Sequence, residues 1–236
     1  MVESPRSLFP LNVPETLRHA VKGGWEAARA NLIPGLVLQA FALGLLLCYY
    51  FQPAAHAALD QLAALKARLG FPYSIASTAL FGGLIPSAYM VLSPRTRAHT
   101  PRSHVAFYIL YWAYKGFEVD CFYALQAHLF GSSVTFSVIF KKVLVDQFVY
   151  NIFWSAPLGI TAYYWKDHSF SWKSLRRLRF WNFQARNLPT ALMGTWGVWI
   201  PAVAIIYSLP TALQVPLFNV VLCFFSLMFV SLARSR

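Results

Sequence analysis

Charged residues divide this chain into long apolar runs. Between Arg29 and Asp60 lie 30 residues without Asp, Glu, Lys or Arg, and between Arg68 and Arg95 lie 26. Asp120 to Lys141 encloses 20, Asp146 to Lys166 encloses 19, and Arg186 to Arg234 encloses 47. One helical span needs about 20 predominantly apolar residues, so the last run holds two. A transmembrane barrel would instead show segments of about ten residues alternating with period two, and that pattern is missing. The pattern predicts an all-α, polytopic transmembrane helix bundle of about six spans over residues 32–232. A short amphipathic helix at 15–31 closes an N-terminal interfacial segment, 1–31.

The first span is expected at 32–52, with Pro34 tolerated in its opening turn, and a short, partly helical connection at 53–70. The second is expected at 73–92, where Gly82, Gly83 and Pro86 predict close helix contact and a kink. The third admits two placements: 103–126, with Lys115, Glu118 and Asp120 inside it, or the uncharged run 121–140. Gly131-Ser132-Ser133 reads as a turn and favours the first. The fourth covers 143–165 and contains Pro157. Two more, 188–208 and 211–232, are separated by a turn at Pro210. Between spans four and five, Trp172, Leu175, Leu178 and Trp181 recur at spacing three among Lys173, Arg176, Arg177 and Arg179. That composition predicts a basic amphipathic helix in the headgroup region, touching anionic lipid.

Composition supports this reading. Hydrophobic residues make up 58% of the chain and charged residues 12%, against about 25% in a soluble domain. The net charge of +12 could suggest nucleic acid, but basic residues also mark the loops retained on the cytoplasmic side. Six spans put fifteen Lys and Arg on the side of both termini and four on the other. No nucleic-acid partner is expected; the lipid bilayer is, and a homo-oligomer is compatible with the same reading. Residues 1–15 lack the basic start and apolar middle of a signal peptide, so insertion is expected to follow the first span. The membrane is then a bacterial inner membrane or an organellar one. Cys48, Cys121 and Cys223 fit no metal spacing and read as buried free thiols.

Ionisable groups inside a span cost roughly 2.5–3.5 kcal/mol each on insertion scales. Lys115 and Glu118, three apart, share a helix face and can pair. Asp120 lies about 200° around the helix from Glu118 and is expected to face another helix. In span four, Gln147 and Asn151 share a face beside Asp146 and Tyr150. They line either a polar path or ordinary interhelical contacts worth about 0.6 kcal/mol each. No phosphate loop, nucleophile elbow or metal motif emerges, so neither a cofactor, a metal nor catalysis is expected.

The segment KKVLVDQ, with Lys142, Asp146 and Gln147 followed by Pro157, resembles an element of the family of Mpv-seventeen and the twenty-two-kilodalton peroxisomal membrane protein. Trp196, Trp199 and Pro201, then Tyr207, Pro210 and Asn219, resemble its C-terminal block. ANLIP (30–34) and FGGLIPSAY (81–89) are similar to its first two spans. Gln214 stands where the family has Arg, Phe225 where it has Trp, and residues 95–132 look like an added span. The resemblance implies a channel or channel-like protein for small solutes. The resemblance implies Asp146 with Gln147 as the polar element of the pore wall; the residues themselves add Asn151, with Lys115, Glu118 and Asp120 as the second choice. The other readings are a membrane scaffold working through its basic connector, and a membrane-embedded enzyme.

Overall fold

A computed structural model describes residues 22–26, 28–29 and 31–232, with Arg95 and residues 228–232 described by backbone only. Most of the 1–31 segment and the C-terminal Arg234 and Arg236 lie outside the described residues. Residues 22–26 and 28–29 are helical. All regular structure among the described residues is helical.

The principal helices are α1 (Leu32–Phe51), α2 (Pro53–Leu69), α3 (Phe71–Leu92), α4 (Arg102–Phe130), α5 (136–167), α6 (Trp172–Arg177), α7 (Phe180–Tyr207) and α8 (Thr211–Leu232). Three of them, α1, α3 and α7, are long and apolar enough to cross a membrane. On α1 the buried positions Gly35, Leu38, Ala42 and Tyr49 follow helical spacing, while Leu32, Ile33, Leu36 and Val37 stand exposed. In water such a face would be an aggregation hazard; in lipid it is the ordinary outer surface.

Residues 53–70 correct the expectation of a short, partly helical connection. They form the full helix α2. Its sequence, PAAHAALDQLAALKARL, is rich in strong helix formers, Pro53 occupies the first turn, and Gly70 at φ 61° ends it. The basic connector also departs from expectation. Spacing three does not match a 3.6-residue turn, and the chain is not helical at Leu178 and Arg179. Trp172 and Leu175 sit on the short α6, whereas Trp181 belongs to α7, which starts well before the expected residue 188. The first of the two placements of span three coincides with α4, and the chain turns at Gly131 with φ 88°. The cysteines are free, but Cys48 is exposed and Cys121 half-buried, so only Cys223 is buried as expected.

The core lies along α8. Leu213, Val215, Val221 and Leu222 are almost fully enclosed, because α8 packs against α1, α2, α3, α4 and α7. Close approach of α3 to α4 depends on missing side chains. A Cβ at Gly83 would lie 2.8 Å from the Ile109 Cα, and one at Gly82 would lie 2.7 Å from Trp112 and Leu222. At Gly116 it would overlap the Ser74 carbonyl. This is the small-residue packing by which helices approach one another in lipid.

Two stretches are wound more loosely than an α-helix, with i→i+5 hydrogen bonding: Ala79–Leu84 in α3 and Val145–Ser155 in α5. Each is followed closely by a proline, Pro86 and Pro157. Proline removes one N–H and its ring presses on the carbonyl four residues earlier. The wider turn relieves that clash without breaking the rod.

Candidate functional site

Both loosely wound stretches face the same space. Between α3, α4, α5, α7 and α8 lies a cavity of about 490 Å³. Wide turns of this kind are common at functional sites. In α5 the widened turn brings Asp146, Gln147, Tyr150, Asn151 and Ser155 to the same lining.

Two hydrogen-bonded groups stand on that lining. In the first, Tyr207 Oη donates to Asp146 Oδ2 at 2.6 Å and Gln147 Nε2 donates to Asp146 Oδ1 at 2.7 Å. Gln126 Nε2 in turn donates to Tyr207 Oη at 2.6 Å, and Asn151 Nδ2 reaches Gln147 Oε1 at 3.5 Å. Lys142 Nζ lies over the face of the Tyr207 ring, 5.7 Å from its centroid. In the second group, Lys115 Nζ forms an ion pair with Glu118 Oε1 and also donates to Ser155 Oγ at 2.9 Å and Tyr150 Oη at 3.2 Å. Tyr150 Oη donates to the same Glu118 oxygen. Lys115 and Glu118 therefore pair along their shared face, and only Lys115 of the two reaches the cavity lining.

Asp120 is not part of this lining. It points towards α2 and α3, accepting from Lys66 Nζ at 2.8 Å and Ser74 Oγ at 2.7 Å. A charge expected among the pore candidates instead fastens α2 and α3 to α4.

The remaining motif residues have separate places. Trp199 lines the cavity and packs on Phe218 and Phe225, at 5.7 and 5.3 Å between ring centroids. Trp196 packs on Phe148 at 5.1 Å. Asn219 accepts from Thr78 Oγ1 at 2.7 Å and donates to Ser77 Oγ at 2.8 Å, joining α8 to α3. Pro201 lies inside α7, and the Pro210 carbonyl receives the Leu213 N–H at the start of α8. Gln214 donates to the Leu209 carbonyl at 3.1 Å. Lys173, Arg176, Arg177 and Arg179 are exposed around α6.

No family model, curated protein or solved structure matches this chain. The reading of the site thus stands on its geometry.

Sequence reasoning brought neither Ser87 to the lining nor Gln126 and Tyr207 to the Asp146 network behind it. Gln126 and Tyr207 meet across 81 positions, and nothing local marks that contact. Ser87 is fully buried, lines the cavity, and its Oγ has no hydrogen-bond partner among the described residues. A buried hydroxyl without a partner costs about 1–3 kcal/mol, so Ser87 keeps an unmet polar valence among the lining residues. Among the described residues, no three His, Cys, Asp or Glu side chains converge as a metal site.

Proposed function

We propose that this chain is a membrane-embedded channel or transport protein for small solutes, with the cavity as its solute site. One observation carries the reading. Lys115 and Asp146, from α4 and α5, face the same cavity together with Gln147 and Asn151. The resemblance to the Mpv-seventeen family favours the same class.

In this proposal α1, α3, α4, α5, α7 and α8 are the six spans, with both termini on the more basic side. The helix α2, which buries no side chain fully, lies along the opposite face. The host is a bacterial inner membrane or an organellar membrane. The test is solute flux in vesicles reconstituted with the purified chain. Asp146→Asn keeps the shape of the side chain but removes the charge, and flux is expected to fall or change selectivity. Unchanged flux from a folded variant would remove Asp146 from the path.

A second role is compatible with the first. Trp172 and Trp181 are 67% and 81% exposed, beside the exposed cations of α6. We assign this patch to anionic lipid headgroups, each cation near such a surface being worth about 1 kcal/mol. Phosphatidylglycerol in nanodiscs should raise the thermal stability of the wild-type chain. The same lipid should give little gain once Arg176, Arg177 and Arg179 are all changed to Gln. An equal gain in both proteins would refute the assignment.

A further inference from the structure

The charges of the cavity are not equivalent. An ammonium group has three N–H donors and no acceptor, and those of Lys115 go to Glu118, Tyr150 and Ser155. Its charge is matched by Glu118, which is 9% exposed. Lys115 therefore has no donor left for an incoming anion.

Asp146 is in the opposite position. Its two oxygens accept from Tyr207 and Gln147, both neutral, whereas a carboxylate offers about four acceptor sites. No Lys or Arg nitrogen approaches within 4.0 Å of it among the described residues. Lys142 lies over the Tyr207 ring and does not line the cavity. The carboxylate is thus buried, facing a cavity, and without a cation in contact; Lys115, the nearby positive charge that acts on it, is paired with Glu118.

Aromatic rings continue the lining from that point. Tyr123 packs on Tyr207 at 5.2 Å and on Phe218 at 6.4 Å, and Phe218 meets Trp199 at 5.7 Å. Tyr123, Phe218 and Trp199 all line the space. A carboxylate beside aromatic faces in a desolvated site is the arrangement that attracts ammonium groups, through charge and through the negative faces of the rings.

We propose that the cavity takes an organic cation, with its ammonium group at Asp146 and its apolar body along Tyr123, Phe218 and Trp199. This inference rests on the transport reading for calling the ligand a solute, and it narrows the class from any small molecule to amines and quaternary ammonium compounds.

The probes are benzyltrimethylammonium, neutral benzyl alcohol and anionic benzenesulfonate. They are titrated into the full chain in zwitterionic nanodiscs and followed by calorimetry and by tryptophan fluorescence, since Trp112 and Trp199 line the cavity. The cation is expected to bind at least about tenfold tighter than the alcohol, with the sulfonate weakest. Asp146→Asn should remove most of that preference, while Asp60→Asn, on α2 and outside the lining, should keep it. Equal binding of the three probes, or tightest binding of the sulfonate, would overturn the proposal. So would a folded Asp146→Asn that keeps the cation preference. The wild-type order of probes decides the matter even if that variant does not fold. Flux without cation preference would sink this inference and leave transport standing; cation-selective binding without flux of any probe would do the reverse.

Discussion

Lys115→Met is expected to destabilise the folded chain by about 3–5 kcal/mol, the usual consequence of leaving one member of a buried ion pair alone. Glu118 would keep the Tyr150 hydroxyl as a donor but would lose the cation that matches its charge. Neither carboxylate oxygen could turn to water, because the side chain is 9% exposed. The double variant Lys115→Met/Glu118→Gln should recover most of the loss, since two neutral groups replace two charges. Thermal unfolding of the three proteins in one detergent measures this as a double-mutant cycle. Independent, additive losses would show that the two side chains do not act as a pair. The consequence for function is indirect: the pair keeps the lysine from presenting a positive charge to the cavity.

Gly116→Val should prevent accumulation of the folded chain. Even a Cβ there would overlap the Ser74 carbonyl and lie 2.8 Å from Thr78 Cβ. The obstruction is mainly backbone, so no rotamer change removes it. Overpacking of this kind costs about 1–3 kcal/mol and more where the backbone must move. The strain also falls where α2, α3 and α4 are joined by the Lys66–Asp120–Ser74 contacts. Gly44→Ala and Gly197→Ala provide the comparison, because nothing lies within 4 Å of a Cβ at either site. Both should be neutral or slightly stabilising, given about 1 kcal/mol in favour of alanine within a helix. Normal yield and melting temperature for Gly116→Val would contradict the close approach of α3 and α4.

Much of the helical layout was legible because charge is costly in lipid. The uncharged runs bracket α1 and α3 closely, the last run holds α8 and all but the first two turns of α7, and the pairing of Lys115 with Glu118 follows from a spacing of three. Asp120 was legible only as a residue on a different face; its partner Lys66 is 54 positions away, in a segment read as a connection. The connector was misread because aromatic residues at equal spacing resemble one helical face, although a break at residues 178–179 divides them between α6 and α7. The cavity was legible only by its polar residues. Ser87 joins the lining from α3, while Tyr207 and Gln126 reach Asp146 from α7 and α4, and which faces of those helices converge is decided by packing.

The wide turn in α5 makes the distance from Lys142 to Pro157 a structural quantity. Deleting a residue between them would let the rod close into a regular helix. The segment before the cut would then turn by about 100° relative to the segment after it. Lys142 would leave the Tyr207 ring, or Asp146 would leave the cavity, since both cannot be kept. Length changes in this stretch should therefore be selected against more strongly than most substitutions. In any protein sharing the design, the number of residues between the lysine and the proline should vary less than their identities.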